Sequence, residues 1–303
     1  VGNYVGLCLL VQFPDVSGTI GQNQVHNFCN QQGYNLDGNN GSVYDYFYDN
    51  SDGKLHYTNV VTAYYTAKHN RVYYTDPAVA YGSRARELIL EGLAHLKTQG
   101  FNFSQLSSDS DDYVYALNVF YAGDVVNNWA EGLWPHSWAL ATPYQAATGK
   151  RFSDYQITNM GTQLTLGTFC HENGHMICDF PDLYDYGYQS NGVGNYCLMC
   201  AGGADTNPTQ VNAYLKYKAG WATGVTPITG EMTATVTAGK NDFGLYAKNA
   251  SEYFIIENRQ QQKRDTSLPD AGLAIWHVDE LGSNDNEQMT TPQHYECSLE
   301  QAD

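Results

Sequence analysis

Residues Gly161–Cys178 read GTQLTLGTFCHENGHMIC, and CDFPDLYD continues the chain from Cys178 to Asp185. Apolar and small residues dominate the first segment, which predicts a long helix that packs closely on its neighbours. His171 and His175 are four residues apart, so both imidazoles would lie on one helix face and reach one ion. Glu172 would point toward a water on that ion. This is the HExxH pattern, in which two histidines bind zinc and the glutamate is a general base.

A catalytic zinc ion needs a third protein ligand, which must come from outside the helix. Three carboxylates follow closely, those of Asp179, Asp182 and Asp185. Further along, GNYCLMCAGG places Met199 in a turn flanked by glycines. The five-letter motif alone recurs by chance, as two histidines on a buried helix, so these flanking features decide how it is interpreted.

This part of the sequence resembles the metzincin metallopeptidases, in which a third ligand and a methionine turn follow the active-site helix. It is most similar to the immune inhibitor A-type branch, with HExGH, a short gap, PDLYD and a later LM turn. Segments similar to that branch occur in the same order from about Leu9 to Asp303. They are LLVQFPD, SVYDYFYDNSDGKLHYTN, PHSW, PTQVNAYLKYKAGW, YFIIENRQ, LPDAGLAIWHVDE and LEQAD.

The turn after the helix departs from the pattern of that branch in two ways. A glycine normally follows the second histidine by three residues, and here that position is Cys178. The aspartate ligand normally lies six residues after the second histidine, whereas Asp182 lies seven after His175. The PDLYD anchor implies Asp182 as the third ligand, with the extra residue absorbed in the turn. Asp179 is the rival, because it lies nearer to the end of the helix.

The resemblance also implies roles around the metal. Met199 would pack beneath the ligands as an apolar floor, which differs little from an ordinary core methionine. A phenol or imidazole would stabilise the oxyanion, and Tyr184, Tyr196 and His136 are the candidates, although each also has a structural explanation. His277 matches a family segment in a predicted strand, and we interpret it as structural or as lining the cleft.

Four of the seven cysteines lie close to the motif, at Cys170, Cys178, Cys197 and Cys200. A cysteine-rich structural zinc site is disfavoured by their spacing and would leave Glu172 without a role. A redox CxxC is disfavoured because no strand-then-helix context supports it. Buried thiols remain an alternative, and we expect one or two disulfides that brace the site of an exported protein.

The composition restricts the partners. The net charge is −17, with 15 basic and 32 acidic residues, which argues against nucleic acid and against an anionic membrane surface. No apolar run is long enough for a membrane span, so no membrane insertion is expected. The acidic residues could hold structural Ca²⁺ at SSDSDDY (107–113) or around Asp182–Asp185, although solvated carboxylates explain them equally well. No basic segment of a signal peptide begins the chain, and we expect a larger parent protein.

The predicted fold class is α/β (α+β), a metzincin-like catalytic domain with a mixed sheet and an active-site helix, followed by a β-rich part. Residues 1–224 would form the catalytic domain and 225–303 the β-rich subdomain. Strands are predicted in YVGLCLLVQFPDV and DDYVYALNVFYAG, and helices from Ser42, in SRARELILEGLAHLKTQG and in PTQVNAYLKYKAGWA. In SRARELILEGLAHLKTQG the apolar residues recur at near-helical spacing, at Leu88, Leu90, Leu93 and Leu96, and the helix is expected to end at Gly100. Strands are then expected in MTATVTAG, DFGLYAK, EYFIIENRQ and GLAIWHVDE.

The leading functional hypothesis is a secreted or cell-surface, bacterial-type zinc endopeptidase that acts as a monomer on a protein or glycoprotein. Water activated by Glu172 would attack a peptide carbonyl polarised by the zinc ion. One alternative is a catalytically silent, zinc-containing module that binds surface glycans or host proteins. Another is a structural zinc site closed by four ligands. The loop YGYQSNGVGNY gives no clear preference for the cleaved bond.

Overall fold

The computed structural model describes residues 1–284 and 294–300, so the last three residues of the LEQAD segment lie outside the described ranges. Its α-helices are α1 (Gln22–Asn30), α2 (Val43–Asn50), α3 (Arg71–Tyr74), α4 (Ser83–Thr98), α5 (Leu166–Cys178) and α6 (Ala213–Lys218). Short 3₁₀ turns are Leu36–Gly38, Phe103–Gln105, Gly194–Tyr196 and Lys263–Ser267. The strands are β1 (Gly2–Gln12), β2 (Leu55–Thr66), β3 (Leu117–Tyr121), β4 (His136–Ala147), β5 (Lys150–Asn159), β6 (Gly224–Pro227), β7 (Asp242–Ala247), β8 (Glu252–Arg259), β9 (Gly272–Asp279) and β10 (Cys297–Leu299).

The predicted mixed α/β class is confirmed, since the chain contains two mixed sheets together with helices. It forms two compact units. The N-terminal unit comprises Gly2–Tyr46 and His56–Asp179, and the C-terminal unit comprises Val1, Phe47–Leu55 and Phe180–Asp303. The domain boundary predicted after residue 224 coincides with the start of β6, the first strand of the second sheet, and as a domain boundary it stays a prediction.

The sheet of the N-terminal unit has the strand order β2-β1-β3-β5-β4. Strands β1, β3 and β5 pair in parallel, and β4 pairs antiparallel with β5 at the edge. Because side chains alternate along a strand, each strand has residues on both faces of the sheet. One face packs on α4 in an apolar core that includes Leu7, Leu9, Val11, Leu88, Ile89, Leu93, Leu117, Val119 and Ile157.

Helix α4 is where the sequence prediction is most accurate. Leu88, Leu93 and Leu96 are buried as expected, and Gly100 follows the helix with φ +74°, a conformation that favours glycine. Leu90 was expected in the apolar stripe, but it is 38% exposed. Leu90 directly follows the buried residues Leu88 and Ile89, and its side chain lies outside the face of the helix that packs on the sheet.

The other face of this sheet carries a ladder of buried polar side chains. The Nδ2 group of Asn118 donates to Asn59 Oδ1 (2.8 Å) and to the Tyr57 hydroxyl (2.7 Å), and Gln156 Nε2 donates to Asn118 Oδ1 (2.8 Å). The Tyr57 hydroxyl in turn donates to Asn173 Oδ1 of α5 at 2.7 Å. We name Tyr57, Asn59, Asn118, Gln156 and Asn173 the amide ladder. It anchors α5 to the sheet through buried hydrogen bonds.

The amide ladder requires a glycine in β1. That strand lies between β2, which carries Asn59, and β3, which carries Asn118. A Cβ atom at Gly6 would lie 2.8 Å from Asn59 Oδ1 and 2.7 Å from the Cβ atom of Ala116. Gly6 therefore leaves the space through which the Asn59 amide crosses the intervening strand.

The sheet of the C-terminal unit has the order β10-β9-β8-β7-β6. All neighbours in it pair antiparallel except β6 and β7, which pair in parallel. The strands predicted in DFGLYAK, EYFIIENRQ and GLAIWHVDE are confirmed as β7, β8 and β9. The strand predicted in MTATVTAG is wrong, because that alternating segment is an exposed loop with no regular pairing.

Several other element boundaries differ from those predicted. The second strand is confined to β3, and the helix expected in PTQVNAYLKYKAGWA is confined to α6 (Ala213–Lys218). There Asn212 caps the helix by accepting from the Leu215 amide. The hairpin of β4 and β5, whose tight turn contains Gly149 at φ +70°, was not predicted, and neither was α1.

Buried charges support the segment around Met199 in the C-terminal unit. The Arg259 guanidinium pairs with Asp265 (2.8 Å) and with Glu257 (3.2 Å), and all three groups are largely buried. Its Nη1 group also donates to the carbonyl of Tyr196 at 3.1 Å. A buried pair of this kind is costly to break, because removal of one partner leaves an unpaired charge. The ion pair therefore fixes the backbone three residues before Met199.

Tyr57→Phe should lower the free energy of unfolding by about 1–3 kcal/mol, because the variant leaves the buried Asn118 and Asn173 amides without a shared partner. Urea denaturation of the wild type and the variant measures the difference. Tyr144→Phe, which changes a half-buried ring of the same unit, serves as the control and should change stability much less. Equal stability of Tyr57→Phe and wild type would show that the amide ladder does not anchor the fold.

Lys216 should make stability pH-dependent in the alkaline range. Burial lowers the pKa of Lys216 from 10.5 to about 8. Below about pH 8 the lysine is charged in both states and folding carries the full desolvation cost, whereas above pH 10.5 it is neutral in both. Relative to Lys216→Met, the wild type should gain up to about 3 kcal/mol between these pH values. Denaturation at a series of pH values measures this difference, and the exposed Lys218→Met should show none.

Candidate metal centre

Helix α5 presents the two motif histidines on one side. It begins after Thr165 and buries Leu166, Phe169, Cys170 and Met176, while His171 and His175 are half-buried. Glu172 is buried at 8% exposure, next to His171 along the chain. The predicted helix is thus confirmed, although it begins five residues later than the quoted segment.

The two imidazoles converge on one point. Their Nε2 atoms lie 3.1 Å apart and their ring planes are inclined at 82°. Tetrahedral zinc with Zn–N bonds of roughly 2.0–2.1 Å holds two nitrogens about 3.3 Å apart. One ligand atom from each of His171, His175 and Asp182 lies within 4.8 Å of the others. In the described part of the chain, these three residues form the one group of histidine, cysteine and acidic side chains that could hold a metal ion.

The end of α5 explains the extra residue in the turn. The helix ends at Cys178, and Asp179 follows in the left-handed conformation (φ 52°, ψ 34°), with its amide donating to the His175 carbonyl at 3.1 Å. Aspartate tolerates this conformation better than most residues. The chain therefore turns at Asp179, one residue later than at a glycine in the Cys178 position. Asp182 still lies three residues after the turn, so helix extension accounts for the added residue.

Asp182 and not Asp179 belongs to the group that could hold a metal ion. Asp179 is exposed, and its backbone closes the helix. The Asp182 carboxylate accepts a hydrogen bond from the Tyr186 hydroxyl, and its carbonyl accepts one from Asn284 Nδ2 at 2.6 Å. Such partners hold the side chain and backbone of a ligand residue in a fixed orientation. Sequence reasoning missed Tyr186 and Asn284, since no motif marks either residue.

The predicted methionine turn lies beside the segment that carries Asp182. Met199 is fully buried, and its carbonyl accepts from the amide of Leu183 at 2.7 Å, one residue after Asp182. The Tyr184 hydroxyl donates to the carbonyl of Cys200 at 2.7 Å, although the ring is 39% exposed. Tyr196 is half-buried, with its carbonyl held by Arg259. The structure thus brings these residues into one loop cluster of the C-terminal unit.

Asp185 has a structural role in that cluster. Its carboxylate accepts from the amides of Gly187 (2.9 Å), Gln189 (3.1 Å) and Ser190 (2.6 Å). Burial opposes ionisation, but the hydrogen bonds from Ser190, Gly187 and Tyr295 hold the pKa of Asp185 below its usual value. At the other proposed calcium position, Asp109 Oδ1 accepts from the amides of Asp111 and Tyr113. Both carboxylates therefore organise loops, and structural calcium stays a prediction.

His136 is poorly suited to donate to an oxyanion. Its Nδ1 atom lies 2.6 Å from the Trp134 carbonyl and its Nε2 atom 3.1 Å from the Tyr155 hydroxyl. Nδ1 therefore carries the proton, and Nε2 accepts from Tyr155. Burial lowers the pKa of His136 to about 4, so the ring is neutral at pH 7.

Tyr81 is a residue near the motif that sequence reasoning missed. Its ring lies 4.8 Å from that of His136, and its hydroxyl lies 3.4 Å from the Trp134 carbonyl. Burial and then the charge of Glu172 raise the pKa of Tyr81 above its usual value. The phenol therefore stays protonated near the Glu172 carboxylate. It precedes His171 by 90 residues, in a turn that no sequence signal distinguishes.

The expected disulfides around the motif are wrong. All seven cysteines are free thiols, and Cys170, Cys197 and Cys200 are buried. The Cys200 thiol donates to the carbonyl of Asn191 at 3.4 Å. Buried thiols, the alternative explanation, describe these side chains. His277, interpreted from the sequence as structural or as lining the cleft, lies in β9 with Nε2 2.9 Å from Glu252 Oε1.

The donor set fits a zinc ion in its chemistry. Two imidazole nitrogens and one carboxylate oxygen are borderline and hard donors that zinc accepts, and three protein ligands are typical of a catalytic zinc site. No sulfur atom belongs to the group within the described ranges. The geometry is compatible with other divalent transition metals, so it supports a metal site without identifying the metal.

Comparison with known proteins gives no independent assignment. No protein-family model matches the chain, and no curated protein is significantly similar to it. Among the residues that the structure describes, none of the helices combines the length and the apolar character needed to cross a bilayer.

Asp182→Asn should weaken zinc binding by more than about 100-fold, because loss of a ligand exceeds the effect of an outer hydrogen-bond partner. Asp179→Asn is the matched control, since asparagine also adopts the left-handed conformation. It should bind zinc as the wild type does. Competition with a chromophoric chelator measures both affinities. Weakened binding in Asp179→Asn alone would identify Asp179 as the ligand.

Proposed function

We propose that this protein is a zinc-dependent endopeptidase of the metzincin type, similar to the immune inhibitor A branch. The observation that carries the proposal is the convergence of His171 Nε2 and His175 Nε2 at 3.1 Å with Asp182 in reach and Glu172 on the same helix. The left-handed turn at Asp179, which preserves the spacing to Asp182, supports the resemblance. A secreted or cell-surface monomer acting on a protein or glycoprotein is part of the same proposal.

The protein would hold the metal through two histidines and one aspartate. Neutral imidazoles are the ligands, and Tyr186 keeps the Asp182 carboxylate oriented by its hydrogen bond. When bound, zinc supplies a water with a pKa near 7 and a Lewis acid for the substrate carbonyl. The amide ladder holds α5 against the sheet through the hydrogen bond from Tyr57 to Asn173. The positions of the two histidines on α5 therefore depend on buried polar groups that are hydrogen-bonded to one another.

Glu172 is the proposed general base. Its carboxylate, buried beside His171, would take a proton from the attacking water and transfer it to the leaving amine. Burial and then the charge of Glu172 raise the pKa of Tyr81, so its phenol stays protonated in the field of this carboxylate. Tyr196 remains the proposed oxyanion donor. The contacts of His136 disfavour it in that role, and the hydrogen bond that the Tyr184 hydroxyl donates to the Cys200 carbonyl disfavours Tyr184.

A silent zinc-containing module is the second candidate, since the same three ligands would hold zinc without turnover. A closed structural site is less favoured, because within the described residues the group has three members and not four. Zinc binding without hydrolysis of any substrate in a protein panel would favour the silent module.

Glu172→Gln should lower peptide hydrolysis by about 10²–10⁴-fold while zinc content is unchanged, because the amide cannot accept the proton. Hydrolysis of a fluorescently labelled protein mixture is measured with the wild type, Glu172→Gln and the exposed-glutamate control Glu231→Gln. Chelation should abolish the activity of the wild type, and added zinc should restore it. Full activity in Glu172→Gln, after contaminating proteases are excluded, would refute the mechanism.

A further inference from the structure

Two cysteines far from the motif face each other in the N-terminal unit. Cys8 lies in β1, where its register partner in β3 is Asn118 of the amide ladder. Its neighbours Leu7 and Leu9 belong to the core on the α4 side, so Cys8 lies on the opposite face. Cys29 lies in the last turn of α1. Both side chains are 0% exposed.

The end of α1 is held against the same face of the sheet. Asn30 Nδ2 donates to the carbonyl of Asn59 (2.9 Å), and the Asn59 amide donates to Asn30 Oδ1 (2.7 Å). The Phe28 ring lies 5.6 Å from that of Phe169 in α5 and 6.1 Å from that of Phe120 in β3. These contacts on both sides of Cys29 place it over β1, and its thiol lies close enough to Cys8 to add to the effect of burial on the pKa of that thiol.

We propose that Cys8 and Cys29 are a disulfide pair that is closed while the chain folds under oxidising conditions. The co-reactant is a small-molecule disulfide such as oxidised glutathione. One cysteine thiolate attacks it and releases one glutathione thiolate, and the second cysteine thiolate then displaces the other. Two protein thiols are oxidised to one cystine and the glutathione disulfide is reduced to two thiols, which take up the two protons that the protein thiols lose.

The timing follows from burial. In the folded protein neither sulfur is accessible to a dissolved oxidant, and burial also raises the pKa of the Cys8 thiol, which suppresses its thiolate. The unfolded chain exposes both cysteines with ordinary reactivity. The pair should therefore oxidise readily during refolding and very slowly once the unit has folded.

The cysteines of the C-terminal unit have other hydrogen-bond partners. Asn212 Nδ2 lies 3.4 Å from the Cys297 sulfur, and the Cys200 thiol donates to Asn191. They provide an internal control for non-specific oxidation. The proposed cross-link encloses 20 residues between its ends and ties α1, which packs on α5, to the central part of the sheet. It should raise the melting temperature of the chain by roughly 5–10 °C.

The test uses the full chain, reduced, unfolded and refolded with oxidised and reduced glutathione. The product is alkylated, digested without reduction and mapped by mass spectrometry. A linked peptide pair containing Cys8 and Cys29 is expected, with Cys200 and Cys297 recovered as alkylated thiols. The same oxidant added to folded, reduced protein should leave Cys8 and Cys29 as thiols. Chain exported by a secretory host replaces the refolded sample if refolding gives no folded protein.

The melting temperature gives a second readout. Oxidative refolding should raise the melting temperature of the wild type but not that of Cys29→Ser. If Cys29→Ser does not fold, the peptide map of the wild type is the deciding measurement. Recovery of both cysteines as thiols after oxidative refolding, or linkage of either to another cysteine, would overturn the proposal. Rapid oxidation of the folded protein would contradict formation of the bond during folding.

Discussion

The buried hydrogen bond between the Tyr57 hydroxyl and Asn173 is the contact on which the orientation of α5 depends. It joins the middle of α5 to an amide ladder that crosses the sheet from β2 to β5. Apolar packing alone would fix the height of the helix over the sheet but not its rotation, because the hydrophobic effect is non-directional. Hydrogen bonds to Asn173 set the rotation, and thereby the direction in which the two histidines of the same helix face.

The turn after α5 sets the position of Asp182 relative to the end of the helix. A helix lengthened by one residue advances its end by about 1.5 Å and rotates it by roughly 100°. Here the left-handed residue moves with the helix end to Asp179, and the three-residue spacing to Asp182 is retained. The segment Asp182–Leu183 is held by hydrogen bonds within the C-terminal unit, to Tyr186, to Asn284 and to the Met199 carbonyl.

Sequence periodicity predicted the elements whose burial follows one face. Helix α4, the strands β7 to β9 and the histidine pair on α5 could all be predicted, since local spacing determines which side chains lie together. Leu90 and the MTATVTAG segment show the limit, because an apolar or alternating pattern does not reveal whether a partner covers it. Tyr57, Tyr81 and Tyr186 acquire their roles through contacts between separated segments, and a chain with 25 tyrosines gives no signal that distinguishes these three. The disulfides expected near the motif failed for the same reason, as sequence proximity does not bring two sulfur atoms together.

The amide ladder also has a direction. Gln156 donates to Asn118, Asn118 to Tyr57, Tyr57 to Asn173, and Asn173 Nδ2 to the Phe169 carbonyl one turn earlier in α5. The donors Gln156, Asn118 and Tyr57 thus find these acceptors only when the strands and the helix are assembled. The backbone amides of α5 should consequently exchange their hydrogens with solvent only in openings that also disrupt the central strands. The helix that carries the histidines would then belong to the slowest-exchanging part of the N-terminal unit, while the Asp185–Ser190 loop exchanges independently.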